Sequence, residues 1–226
     1  MTITRTHLLP GTLLAALALA LAGSGAQAGA AAKSRPTAAN LGRFVLAKGD
    51  LPAGYKPTGR MQSASPGGCV DLGGDPAAAR TMERRLGTLG FKRCASASFE
   101  RKVETAVDED VTTTATNQPG SEAILMRDGR AAAKALPVLR RALLASFTGD
   151  GVVEAHSVPA TALGDQATRG VQLTYDFGAL GTFTGSIYIW RHGPVVGWVF
   201  SSDILGDFDE DRTLQLARKL DARIAG

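Results

Sequence analysis

Near its C-terminal end the chain carries three consecutive strand-like runs, ATRGVQLTYDF, TFTGSIYIW and VVGWVFSS. Dense β-branched and aromatic residues at that length read as β-strands. The breaks between them are Gly178-Ala179-Leu180-Gly181 and His192-Gly193-Pro194, too short for a crossover, so neighbouring strands must pair antiparallel. A chain with this meander is committed to a sheet, and the rest of the sequence has to cover it.

The other elements follow from caps and periodicity. Leu41–Ala47 forms a short helix or strand, Asp50-Leu51-Pro52-Ala53-Gly54-Tyr55 makes a turn, and residues 58–64 run extended. Asp75 and Pro76 open a helix that reaches Leu89. Ala97, Phe99, Arg101 and Val103 alternate with polar neighbours, which predicts a strand over 94–105; VTTTATN, EAILMR and VVEAHSV predict three more. Asp128 caps a second helix carrying Leu136, Leu139, Leu143 and Phe147, which Pro137 must kink or divide. A third helix spans about Phe208 to Ile224. The fold class that follows is α+β: a single mostly antiparallel sheet with about three helices packed on a face, and a C-terminal β-meander followed by a helix.

Both tryptophans fall within IYIWRHGPVVGWVF, residues 187–200. A three-residue loop, His192 to Pro194, sets Tyr188 against Trp198, Trp190 against Val196 and Ser186 against Phe200, and gathers the aromatics on one face. A two-residue loop divides them between faces. In either register both faces are apolar near the turn, so the hairpin is central and each face needs a cover. If helices take one face, the other is closed by a loop, a partner or a ligand. That makes Tyr188, Trp190, Trp198 and Phe200 the ligand-binding candidates.

The first 28 residues combine a basic start at Arg5, an apolar run from Leu13 to Ala22, and Ala26-Gln27-Ala28 as a small-x-small cleavage site. This is the pattern of a secretory signal peptide, and the apolar run is shorter than the roughly 20 residues of a spanning helix. The expected organisation is a signal peptide over 1–28, a disordered lead-in over 29–40, and a single domain over 41–226, secreted, monomeric and without an integral membrane segment. Cys69 and Cys94 lie in the exported part. In an oxidising compartment they read as one structural disulfide.

Formal net charge is +4, with the basic residues scattered, so nucleic acid is not an expected partner. At most the charge suits anionic surfaces such as cell-wall polymers or lipid headgroups. No cofactor or metal is expected. Asp207, Asp209 and Asp211 occupy the first, third and fifth positions of an EF-hand loop, but Arg212 stands where Gly is needed and Arg218 where Glu is needed. They read instead as the acidic start of a helix. Asp108, Glu109 and Asp110 read as a solvated turn. His156 or His192 could join Asp165 or Asp176 in a triad, yet no G-x-S-x-G nucleophile is present, nor a Walker A loop or dinucleotide fingerprint. An enzyme is not expected. The rivals are a hydrolase with an unrecognised site and a structural envelope protein.

DLPAGY at 50–55, EAILMRDGRAAAKAL at 122–136, ALGDQA at 162–167 and LARKLDARI at 216–224 give the chain a resemblance to a family. In their order it resembles the secreted actinobacterial sensor-type domains, which include extracellular sensor domains of some mycobacterial Ser/Thr protein kinases. WRHG stands where the family has an Arg-Arg-Gly-like turn. The resemblance implies a non-catalytic extracytoplasmic domain that binds a ligand of the cell envelope, such as a lipid, a glycan or a small molecule.

Overall fold

The computed structural model describes residues 35–68, 76–108, 111–147, 152–167, 169–176 and 181–226. Its strands are β1 (Lys56–Ser63), β2 (Phe91–Asp108), β3 (Val111–Asn117), β4 (Gly120–Met126), β5 (Val152–Val158), β6 (Gln166–Ala167), β7 (Gly170–Asp176), β8 (Thr182–His192) and β9 (Val195–Ser202). Its α-helices are α1 (Pro76–Leu89), α2 (Gly129–Phe147) and α3 (Glu210–Ala225). The strands form one nine-stranded sheet in the order β1-β2-β4-β9-β8-β7-β5, with β3 paired to β2 and β6 to β8. Every pairing is antiparallel. The α+β class and the meander-then-helix ending are therefore present.

The helices do not share one face. α1 and α2 bury Met82, Leu86, Leu136, Leu139 and Leu143 against Cys94, Ile124, Met126, Ile189 and Val196. α3 buries Leu214, Ala217, Leu220 and Ile224 on the opposite face, with Ala95, Ala97, Ala123, Tyr188, Trp190 and Val199. Strands buried on both sides explain why β4, β8 and β9 read as continuous apolar runs instead of alternating ones. The N-terminal segment completes the α3 side through Leu41, Phe44, Val45 and Leu46, with a short 3-10 turn at Leu41–Arg43. Structure also extends into the stretch read as a lead-in. A turn at Thr37–Asn40 is closed by Thr37 N–H donating to Asn40 Oδ1 at 2.7 Å and Asn40 N–H donating to Thr37 Oγ1 at 3.3 Å.

Local chemistry fixes the helix ends. Asp128 Oδ1 accepts from the Ala131 N–H at 2.8 Å, and Asp209 Oδ1 from the Arg212 N–H at 2.8 Å. Pro137 does not divide α2, which runs through it; Pro137 lies on the exposed side of the helix. Asp207 of the EF-hand-like run is not a metal ligand in waiting: it accepts from Arg101 Nη1 at 2.8 Å and from the Tyr55 hydroxyl at 2.9 Å. The Asp50 carboxylate is 2% exposed and pairs with Lys219 Nζ at 2.8 Å and with Arg223, which ties the N-terminal segment to α3. Burial opposes its ionisation, but hydrogen bonds from Arg223, Lys219 and the Ala47 N–H hold its pKa below the usual carboxylate value.

Cys94 is buried, and Ser63 at the end of β1 stands opposite it in register. Its expected partner Cys69 lies outside the described residues, as does Asp75. The chain is nevertheless followed to Gly68, and Cys94 Sγ is 3.7 Å from the Ser63 carbonyl oxygen and 3.9 Å from that of Ser65. We therefore retain a Cys69–Cys94 bridge as a proposal. Such a loop closure contributes roughly 3 kcal/mol, so reduction should lower Tm by roughly 6–12 °C. An unchanged melt after reduction would exclude the bridge.

Candidate functional site

The turn of the aromatic hairpin contains two residues, not three. Gly193 takes a φ of 55°, which a Gly at the first central position of a II′-type turn supplies, and His192 pairs directly with Val195. The register becomes Tyr188 with Val199, Trp190 with Gly197, Ile189 with Trp198 and Ile187 with Phe200. Tyr188 and Trp190 consequently point to the α3 side, and Trp198 and Phe200 to the α2 side. The single aromatic groove expected from the longer loop is thus corrected to two separate pairs.

Tyr188 and Trp190 are both 0% exposed, and protein covers them completely. Two glycines on neighbouring strands make room for their rings. A Cβ at Gly197 would lie 2.8 Å from Trp190 Cζ2, and one at Gly170 would lie 2.5 Å from Tyr188 Cε1. These two aromatics belong to the core.

The turn itself is fastened by side chains from other elements. Asp165 of the ALGDQA stretch accepts from the Gly193 N–H at 2.7 Å and from Arg191 Nη1 at 3.0 Å. Asp221 of α3 accepts from the Gly164 N–H at 2.9 Å and lies 3.1 Å from His192 Nδ1. Two of the stretches that carry the family resemblance therefore meet at this turn. His192 is engaged with Asp221 instead of Asp165 or Asp176, and His156 Nε2 pairs with Glu154 at 3.0 Å. Among the described residues neither imidazole is hydrogen-bonded to a hydroxyl or thiol.

The α2 side is chemically less settled. Glu122 of β4 stands opposite Trp198, whose Nε1–H donates to its Oε2 at 2.9 Å. The residue is 1% exposed, and among the described residues its Oε1 has no partner. Burial pushes its pKa up to about 8, with the Trp198 hydrogen bond working the other way. The half-buried Phe147 at the end of α2 meets Trp198 edge-on at 6.4 Å and stacks on Phe200 at 4.4 Å. Sequence reasoning passed over Glu122, although it is the only charged residue in GSEAILM.

Beside this cluster, Arg140, Leu143 and Leu144 follow one another at helical spacing along α2 and look down on β7 and β8. With Val171, Ile187 and Ile189 they wall a narrow apolar crevice of about 10 Å³, room for a single water molecule at most, and Arg169 stands at its other rim. Among the described residues neither arginine has a carboxylate partner; Arg169 only donates to the Ser157 carbonyl oxygen at 3.4 Å. On the other side of Arg169 an open recess of about 300 Å³ is lined by Pro159, Ala160, Thr161, Ala167 and Arg169, the lower end of the size range of small-molecule sites. Neither arginine was singled out in the sequence, because what unites them is the packing of α2 over β7.

Among the described residues no cluster of three or more His, Cys, Asp or Glu side chains is placed to hold a metal ion. No described helix is long and apolar enough to cross a membrane. No family model and no curated protein matches the sequence. The fold is similar to that of the extracellular domain of PknH from Mycobacterium tuberculosis, with a TM-score of 0.54 and 11% identity over 85% of this chain and 98% of that chain.

Proposed function

We propose that the chain is an exported, non-catalytic ligand-binding domain of sensor type, carried out of the cytoplasm by residues 1–28 and taking an anionic molecule of the cell envelope as its ligand. The observation that carries this reading is the open recess of about 300 Å³ lined by Pro159, Ala160, Thr161, Ala167 and Arg169, whose arginine has no carboxylate partner among the described residues. A guanidinium at the rim of a largely apolar recess matches a carboxylate or phosphate group. The similarity of fold to the extracellular domain of a mycobacterial protein supports an extracytoplasmic location.

The hydrolase reading would have to rest on Glu122, the described carboxyl whose pKa is displaced upward as a catalytic acid requires. That side chain is sealed from solvent behind Trp198, and no second carboxylate is hydrogen-bonded to it among the described residues. Ligand binding is the better account.

Native mass spectrometry of the protein purified from its own host tests the proposal. A co-purified anionic ligand is expected, and Arg169→Ala should lose it without loss of fold. An empty protein that also shows no thermal shift with long-chain fatty acids or lysophospholipids would overturn it.

A further inference from the structure

The cations of this protein are unevenly paired. Arg101, Lys102, Arg127, Arg191, Lys219 and Arg223 all have carboxylate partners. Other exposed cations, Arg43, Lys48 and Lys56 among them, have no such partner among the described residues, but the unpaired cations are gathered on the outer surfaces of α1 and α2. Arg80, Arg84 and Arg85 on α1, and Arg130, Lys134 and Arg141 on α2, are all exposed, and none has an ion pair among the described residues. α2 contains no acidic residue at all, and α1 contains only the half-buried Glu83.

The geometry is that of a plate. Arg130, Lys134, Pro137 and Arg141 fall at steps of four, three and four, which puts them on one stripe about 16 Å long. α1 packs beside α2 and adds its own row. Between the cations the exposed residues are small, Thr81, Gly87, Thr88, Pro137 and Ala145, and no aromatic ring is exposed on either helix. A stacking platform for single-stranded nucleic acid is therefore missing, as is any apolar wedge for insertion. What remains is a broad cationic surface suited to a broad anionic one.

We propose that the α1–α2 plate docks the domain electrostatically onto an anionic phospholipid membrane surface. The contact is peripheral, without insertion, and separate from the recess proposed for the ligand. Each cation near such a surface contributes about 1 kcal/mol, so each one removed should lower partitioning about fivefold. Screening makes the contact sensitive to salt.

The test is co-sedimentation of the purified protein with vesicles of phosphatidylcholine and phosphatidylglycerol, against vesicles of phosphatidylcholine alone. Binding is expected only with phosphatidylglycerol, and it should vanish in 0.5 M salt. The triple variant Arg130→Glu, Lys134→Glu, Arg141→Glu should lose more than about a hundredfold in partitioning, the loss expected from neutralising the three cations alone. A triple variant of the same charge change placed elsewhere, Arg43→Glu, Lys48→Glu, Lys56→Glu, should lose far less. Melting curves identify any variant that fails to fold; in that case alanine at the same three positions gives the reading. Absence of binding to phosphatidylglycerol, equal loss in both triple variants, or tighter binding to soluble poly(glycerol phosphate) than to vesicles would each overturn the proposal. Arg169 lies outside α1 and α2, so loss of the co-purified ligand by Arg169→Ala leaves this measurement unaffected and the two proposals fail separately.

Discussion

Replacing Glu122 by glutamine is expected to stabilise the protein by an amount that grows with pH, from almost nothing near pH 4.5 to several kcal/mol above pH 8. The folded protein holds the Glu122 proton up to about pH 8, because its carboxyl is buried in the sheet, whereas in the unfolded chain the proton leaves near pH 4.5. Between those values the native state binds the extra proton, so stability falls as pH rises through the window and levels off above it. The ceiling of that loss is on the order of 3–5 kcal/mol. Glutamine keeps an oxygen for the Trp198 Nε1–H and has no charge to bury. The comparison to make is the difference in unfolding free energy between the two proteins at pH 5 and at pH 9, which cancels the other titrating groups. A difference that stays constant between those values would mean that Glu122 is ionised at ordinary cost. Trp198→Phe is a further check: it removes the hydrogen bond that lowers the Glu122 pKa, so the fall in stability should extend to higher pH.

That Glu122 was invisible in the sequence, while most of the sheet was not, has a physical reason. β3, β5 and β9 were delimited by β-branched content and turn residues, which are local properties, and Asp128 announced α2 through a capping bond spanning three residues. Burial of Glu122 is not local. It depends on β9 lying against β4 and on Phe147 arriving at the end of α2, contacts made with residues far along the chain. The recess is hidden for the same reason, since Arg169 is an ordinary charged residue until Pro159, Ala160 and Ala167 are gathered beside it. The hairpin register stays open in the sequence between a three-residue and a two-residue loop, and the structure takes the shorter one, which divides the aromatics between faces. His192, Gly193 and Pro194 all suit a turn, and only the Asp165 side chain, brought from the ALGDQA loop to the Gly193 N–H, marks where the turn is fastened. The question of what covers the two apolar faces was legible; its answer, α3 on one side and α2 on the other, required the fold.

The one-residue change in register separates the two tryptophans energetically, and Trp190→Ala is expected to be the most damaging single truncation on the hairpin. Its indole is fully buried between α3 and the sheet and rests over Gly197. Truncation of a buried aromatic costs about 3–5 kcal/mol, because the lost transfer energy is joined by a cavity that β8, β9 and α3 cannot close. In a protein of this size that is a fall in Tm of roughly 10 °C or more. Trp190→Phe should cost much less than alanine, since Trp190 Nε1 has no hydrogen-bond partner among the described residues and phenylalanine removes a buried donor along with part of the ring. Gly197→Ala attacks the same contact from the other strand. Its new Cβ would stand 2.8 Å from Trp190 Cζ2, closer than carbon atoms pack, and overpacking of that kind costs about 1–3 kcal/mol. The decisive measurement is the double variant Trp190→Phe, Gly197→Ala. If ring and glycine are complementary, the smaller ring relieves the clash and the two effects are less than additive. Strict additivity in urea unfolding would mean that Gly197 is required for some reason other than the indole, and the hairpin register described here would have to be abandoned.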